Sequence, residues 1–234
     1  TTCEHPMPFP QTVTVIIPAL NEAGNIAELV AAVLAQPVDQ VIVVDNGSSD
    51  DTGARARAAG ALVVQEDRRG YGYACAAGVA AATGDILVFL DGDFSFSPAE
   101  LPRLIEPIQQ GAADLVLGSR VLGQIAPGAM PPHQRFGNRL TAWLMGLLYR
   151  VHVTDLGPYR AVRSDLLRGL GMAEMTYGWP TEMMVKAARQ KIRIQEVPVS
   201  YASRRAGKSK VSGTVRGSLL AGWYILSVTF RYAR

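Results

Sequence analysis

Residues 85–93 read DILVFLDGD. Five apolar residues, Ile86 to Leu90, end on a carboxylate, a glycine and a second carboxylate. A short apolar run closed by polar turn residues is the pattern of a strand buried on both faces. The same pattern occurs in TVTVIIPA (12–19), QVIVVD (40–45), ALVVQE (61–66) and ADLVLGS (113–119). Helical segments separate these runs. The first places Ile26, Leu29, Val30, Val33 and Leu34 on one face, with Asn25 as its expected cap and Pro37 as its stop. A second runs to about Ala59, a third of small residues runs to Thr83, and a fourth starts at Pro98. Strands alternating with helices predict an α/β fold, a mostly parallel sheet covered by helices on both faces.

In such a sheet ligands bind at the carboxyl ends of the strands. Here those ends carry Pro18 with Asn21-Glu22, Asp45-Asn46, Glu66-Asp67, Asp91-Gly92-Asp93, and Ser119-Arg120. Like charges crowded at one edge are costly unless a cation or hydrogen-bond donors offset them. Two carboxylates two residues apart can face one hard cation, and Mg²⁺ or Mn²⁺ accepts one or two carboxylates plus phosphate oxygens. Asp91 and Asp93 are therefore the expected metal ligands. Asp45, ending its strand, is placed to accept hydrogen bonds from a nucleoside.

The chain has 234 residues, of which 48% are hydrophobic and 18% charged, enough for a packed core and too apolar for disorder. Cys3 and Cys75 cannot form a disulfide framework or a zinc site, which predicts a reducing, cytoplasmic setting. The first residues, TTCEHPMPFPQ, lack the basic start and apolar run of a signal peptide. Charge is split. Residues 1–100 hold 13 acids and 4 bases, residues 101–234 hold 7 acids and 19 bases, and from Val197 onward there are seven bases and no acid. The second half is expected to meet an anion: a phosphate, a membrane surface or nucleic acid. GSLLAGWYILSVTF (217–230) and LTAWLMGLLY (140–149) are too short to cross a bilayer, and suit a core or a membrane interface.

After residue 120 a Pro/Gly-rich loop precedes a long helix (about 134–150) and the segment TDLGPYRAV. Helices near 164–170 and 180–190, a strand at 191–199, a basic loop at 201–212 and a last helix from about Val215 follow. The expected organisation is an N-terminal extension (1–11), a catalytic domain (12–212) and a C-terminal amphipathic helix (213–234). Several chemistries are excluded. The glycine loop RGYGYAC follows the third strand and lacks the third glycine of a dinucleotide fingerprint, and no GxxxxGK[ST] occurs. His5, His133 and His152 are scattered without triad spacing.

Taken together and in order, VIIPALNE, VIVVDNGSSDDT, GYGYACAAGVAAATGD and FLDGD resemble glycosyltransferase family 2 with its GT-A fold. GSR (118–120), the helix beginning RFGNR, TDLGPYRA and VPVSYASRRAGKSK resemble one branch, the polyprenyl-phosphate mannose and glucose synthases. The resemblance implies that Pro18, Asn21, Glu22, Asp45, Asn46 and Gly70, with Asp91-Gly92-Asp93, hold a UDP- or GDP-sugar. Asp91 and Asp93 hold Mg²⁺ or Mn²⁺. Arg120, Arg135, Arg139, Arg204, Lys208 and Lys210 grip the acceptor phosphate or donor diphosphate. Ser95 stands where the branch often has Gln. Inversion at the anomeric carbon then needs charge stabilisation on the leaving diphosphate. An ionised phosphate acceptor needs no strong base, whereas a hydroxyl acceptor does, and Asp155 and Glu182 are the candidates. Asp93 counts as catalytic through the metal it is expected to hold. Asp155 can equally orient the GPYR turn, and Glu182 can pair with a base.

The expected protein is thus an inverting hexosyltransferase acting on a polyprenyl phosphate at the cytoplasmic membrane face, without nucleic acid as partner. A soluble phosphorylated or hydroxylated acceptor is the first rival. A sugar nucleotidyltransferase would need a basic glycine-rich signature after the first strand, which PALNEAGN lacks. A non-catalytic membrane or nucleic-acid adaptor with a relict site is the rival of another class.

Overall fold

The structure is a computed structural model that describes residues 11–205 and 215–233, apart from the side chains of 215–219 and 221. Seven strands form one sheet: β1 (Val13–Ala19), β2 (Gln40–Asp45), β3 (Leu62–Gln65), β4 (Ile86–Phe89), β5 (Leu115–Ser119), β6 (Arg160–Arg163) and β7 (Ile194–Pro198). Their spatial order is β3-β2-β1-β4-β6-β5-β7. The helices are α1 (Ile26–Leu34), α2 (Thr52–Ala58), α3 (Tyr71–Ala81), α4 (Leu101–Gln109, preceded by a 3₁₀ turn at Pro98–Glu100), α5 (Pro132–Tyr149), α6 (Ser164–Gly169), α7 (Trp179–Arg189) and α8 (Val215–Arg231).

Alternate side chains of the central strands enter two separate cores. Val15, Ile17, Val43 and Val88 join Ile26, Leu29, Val30 and Leu104 from α1 and α4. Ile16, Ile42, Val44 and Phe89 join Cys75, Met145, Met183 and Met184 from α3, α5 and α7. This two-sided burial is why the strands read as continuous apolar runs. The small residues of α3 let it lie flat: a Cβ at Gly78 would collide with Ile16.

Three expectations need correction. β4 ends at Phe89, so Asp91-Gly92-Asp93 lies in the turn beyond the strand and not within it. β6 has no counterpart among the expected strands. It runs antiparallel between β4 and β5, so those two strands are not neighbours. RAVR is four residues long and begins with Arg160, which is 1% exposed, so neither length nor polarity marked it. Asn25 does precede α1, but its side chain makes no cap hydrogen bond. Its amide donates instead to Glu22 Oε2 at 3.0 Å.

Candidate functional site

The carboxyl ends of β1, β2 and β4 are held by side chains that the sequence offered as ligands. Asn21 sits in the left-handed region (φ 53°), which Asn tolerates better than most residues. Its backbone N–H donates to Ser48 Oγ (2.9 Å), and its side-chain oxygen accepts from Ser49 N–H (2.8 Å). Asp45, 6% exposed, accepts from Ser48 N–H at 2.9 Å and from Gln65 Nε2 at 3.3 Å. Gly53 leaves this pocket open, since a Cβ there would stand 2.8 Å from Asp45 Oδ2.

Asn46 and Gly70 have structural duties. The Asn46 amide donates to the carbonyls of Glu66 (2.9 Å) and Arg68 (2.8 Å), and its oxygen accepts from Gly70 N–H (3.0 Å). It is a clasp on the 66–70 loop, with its polar groups committed to protein. A Cβ at Gly70 would collide with the Met175 carbonyl, and one at Gly72 with the Glu174 carbonyl. Close packing against residues 174–175 therefore requires these glycines.

Asp91, Asp93 and Glu22 form the acidic centre. Gly92 admits it to the end of β1, its Cβ position lying 3.3 Å from the Pro18 carbonyl and 3.5 Å from Glu22 Cγ. Asp91 Oδ1 accepts from the Tyr71 hydroxyl at 3.2 Å. Burial first, then the neighbouring Asp93 charge, raises the Asp91 carboxyl to about 7. Asp93 accepts from Ser95 N–H at 3.0 Å, and Arg204 bridges Glu22 (2.9 Å) and Asp93 (3.3 Å). Phe94, immediately after Asp93, holds φ 61°. A bulky residue there stores roughly 1–3 kcal/mol of strain, of the kind found at functional turns.

This centre fits a divalent ion by its chemistry. Two carboxylates are neighbours here, and burial and the Asp93 charge both disfavour ionisation of Asp91. Among the described residues no cluster of three or more His, Cys, Asp or Glu could hold a metal. Two neighbouring carboxylates are the protein share taken by an ion that completes its shell with diphosphate oxygens and water, as Mg²⁺ and Mn²⁺ do. Arg204 Nε and NH1 are buried without a protein partner among the described residues, which leaves donors for an anion beside the same carboxylates.

On the far side of β6, Arg120 is 12% exposed in its side chain. It makes a two-pronged pair with the fully buried Asp155 through Nε (2.7 Å) and NH2 (2.7 Å). Its backbone N–H reaches the same carboxylate at 2.8 Å. Burial alone would lower the Arg120 pKa, and Asp155 more than offsets this. Tyr201 covers the guanidinium at 5.0 Å. Asp155 is held in turn by Glu196, whose Oε1 accepts from the Asp155 N–H (3.0 Å) and whose oxygens take Thr154 N–H. Both Asp155 oxygens are engaged by Arg120, an arrangement that orients the guanidinium. Glu182 is engaged as fully. Buried in α7, its Oε2 accepts from the N–H groups of Ala173 (2.9 Å) and Glu174 (2.8 Å), and its Oε1 from Tyr232 and Lys186. Burial pushes its pKa up, but these bonds together hold it below the usual value.

Arg139 is exposed on α5 and lines a groove of about 570 Å³ with Val121, Trp143, Leu147, His152 and Val153. Arg135 is exposed one turn earlier, its Nε on the Met130 carbonyl at 3.1 Å. The structure does not bring these two arginines into bonds with the acidic centre. Lys208 and Lys210 lie outside the described residues. Sequence reasoning missed Tyr71, Gln65, Glu196 and Arg160. Arg160 is wholly buried, donating to the carbonyls of Pro180 (2.8 Å) and Leu156 (3.3 Å), and burial lowers its pKa to about 10. Tyr71 was legible only as a neighbour of the glycines.

The model of "Glycosyl transferase family 2" matches residues 14–171, a span that includes every strand end just described except that of β7. The chain belongs to this family. A glycosyltransferase of Mycobacterium tuberculosis is 40% identical over 218 residues, 92% of this chain and 98% of that protein. The undecaprenyl-phosphate mannosyltransferase of Micrococcus luteus is 34% identical over 223 residues, 88% of this chain and 89% of its own. A dolichyl-phosphate hexose transferase of Haloferax volcanii is 34% identical over 214 residues, with the same coverage. Among solved structures, glucosyl-3-phosphoglycerate synthase of M. tuberculosis aligns with a TM-score of 0.78 at 25% identity, covering 95% of this chain and 78% of that one. It was crystallised with Mn²⁺, UDP and phosphoglyceric acid. The same enzyme with Mg²⁺ and UDP aligns at 0.77. The family 2 chain is a glycosyltransferase of GT-A fold, a hexosyltransferase by its relatives.

Proposed function

We propose that this family 2 enzyme moves a hexose from a UDP- or GDP-sugar to a polyprenyl phosphate at a membrane surface. The observation that carries the acceptor is the outward face of α5 and α8. Phe136 (70% exposed), Trp143 (61%) and Leu147 fall on one stripe of α5, and Trp223 (70%) and Phe230 project from α8, which packs on α5. Neither helix contains an acid, while Arg135, Arg139 and Arg231 are exposed on them. An apolar face edged by bases suits an anionic leaflet, each base contributing about 1 kcal/mol near such a surface. No helix of the described residues is long and apolar enough to cross a membrane, so contact through this face is peripheral. Two relatives are polyprenyl-phosphate enzymes by name.

In this reading Asp45 and the 46–49 turn receive the nucleoside. Asp91 and Asp93 hold Mg²⁺ or Mn²⁺, which supplies charge neutralisation to the departing diphosphate. Arg204 turns its unpartnered nitrogens to that diphosphate. Arg120, aimed by Asp155, and Arg139, at the groove mouth, hold the acceptor phosphate. A phosphate oxygen is already ionised near neutral pH. It attacks the anomeric carbon opposite the nucleotide without a protein base, consistent with Asp155 and Glu182 both being occupied.

A soluble phosphorylated acceptor is the second reading, supported by the likeness to glucosyl-3-phosphoglycerate synthase. A panel of UDP- and GDP-hexoses with Mn²⁺ or Mg²⁺ separates the two, offered short polyprenyl phosphate in vesicles or 3-phosphoglycerate in solution. Label entering the lipid phase supports the first. Product with 3-phosphoglycerate alone sinks it.

A further inference from the structure

Glu182 does no chemistry in this account, yet its carboxylate is completely buried and every oxygen is used. Its partners lie on two separate pieces of chain. Oε2 gathers the backbone N–H groups of Ala173 and Glu174. Oε1 accepts from the Tyr232 hydroxyl at 2.7 Å and pairs with Lys186 at 3.0 Å. Around it the end of α8 makes further attachments to the same region. Arg231 reaches Glu174 at 3.3 Å, Arg189 donates to the Tyr232 carbonyl at 3.1 Å, and a Cβ at Gly178 would stand 2.8 Å from both Glu174 and Val228. On its other side the 173–175 segment touches the donor site, with its carbonyls against Gly70 and Gly72 so closely that no Cβ fits. Tyr71, between those glycines, donates to Asp91.

We infer that Glu182 and the residues that end α8 form a brace that sets the position of residues 70–72, where α3 begins, and through Tyr71 that of Asp91. Tyr232 and Glu182 are then positioning residues for the donor site, although neither touches it. The contacts run in one unbroken series from Tyr232 to Glu182, to the 173–174 amides, to the glycines and to Asp91. Two attachments join the α8 end to α7, through Glu182 and Arg189, and two join it to the 174–178 segment behind Gly70 and Gly72. The inference rests on the donor half of the proposed function and is indifferent to the acceptor.

The test is amide hydrogen exchange on the full chain, comparing wild type with Tyr232→Phe, Glu182→Gln and the control Thr229→Val. Thr229 Oγ1 bonds only within α8, to the Ile225 carbonyl. Tyr232→Phe removes a single hydroxyl and keeps the ring, so its fold is retained even where Glu182→Gln fails to fold. The expected result is faster exchange at 70–75 as well as 173–178 in Tyr232→Phe, but not in Thr229→Val. The dissociation constant for Mn²⁺ with UDP or GDP should also rise, by up to roughly tenfold, the bond lost to Glu182 being the ceiling on what a displaced site can lose. Acceleration confined to 173–178 or 215–233, with 70–75 unchanged, overturns the brace. If wild type binds neither nucleotide, the donor reading fails, while exchange at 70–75 still decides the brace.

Discussion

Two regions of this enzyme, the carboxylate-tipped strand edge and the α5–α8 face, are built in opposite ways. At the donor edge nearly every polar side chain is tied down: Asn21 to Ser48 and Ser49, Asp45 to Ser48 and Gln65, Asn46 to Glu66, Arg68 and Gly70. On the α5–α8 side the large residues face outward, and the bases nearest the groove make few bonds. A rigid polar edge suits a ligand with fixed hydrogen-bonding groups, such as a nucleotide. A loosely bonded apolar face suits a ligand or surface recognised by area and charge. The contrast predicts that damage to the first side stops the chemistry and damage to the second only moves the enzyme away from its acceptor.

The largest effect is expected at the acidic turn. Asp91→Ala or Asp93→Ala should lower kcat/KM by on the order of 10³-fold or more, about 4 kcal/mol of transition-state stabilisation. Chelation of divalent ions should do the same to wild type and be reversed by Mn²⁺. Turnover that survives both would break the comparison at its stronger side.

Next comes the arginine that joins the two sides. Arg120→Lys cannot reproduce the two-pronged pair with Asp155 and should raise the acceptor KM by roughly 10–100-fold, with little change in donor affinity. Asp155→Asn should show the same KM effect and no loss of the acidic limb of the pH profile, the limb a general base would set. A kcat effect with a lost limb would restore Asp155 as the base. The buried pair is also structural, so removing one partner is expected to cost roughly 3–5 kcal/mol of stability, and activity should be read at low temperature.

How much of this contrast was legible beforehand differs between the sides. The parallel strands and their carboxylate tips could be read from apolar runs, because burial on both faces leaves a signature in every residue. The roles within the tips could not. Asn46 and Gly70 have the identity a nucleotide site needs, and only the contacts with Glu66, Arg68 and Met175 reveal that structure claims them first. The partners of Glu182 and Asp155 were hidden for the same reason: they arrive from distant chain segments, 50 residues away for Tyr232 and 35 for Arg120. β6 escaped because a buried arginine opens it. The stripe of α5 was visible as apolarity, but whether it turned inward or outward was a tertiary fact.

The outward stripe allows a third, smaller effect. Phe136→Ser with Trp143→Ser should weaken binding to anionic vesicles about tenfold, the area of two partly inserted aromatics. Nucleotide binding should be unchanged, and activity on a soluble acceptor should be spared. Equal loss of nucleotide binding would mean that the two sides are not separable.

The smallest effect sharpens the donor side without any substrate. Burial and Asp93 raise Asp91 to about 7, so between about pH 4 and pH 7 the folded metal-free protein is expected to hold a proton there that the unfolded chain has released. A group raised on folding contributes stability that is fully present below its unfolded value, near 4, and is lost as pH rises through about 7. The melting temperature of the metal-free enzyme should therefore decline from pH 5 to pH 8 by a few degrees more than that of Asp91→Asn, whose amide mimics the protonated acid. Mn²⁺ should cancel the difference at pH 8 and do little at pH 5, since proton and ion compete for one carboxylate. Parallel curves for the two proteins would show that Asp91 is ionised in the empty pocket. The tightly bonded edge would then tolerate two adjacent negative charges without a metal, and the reason for placing an ion there would have to be sought in the substrate alone.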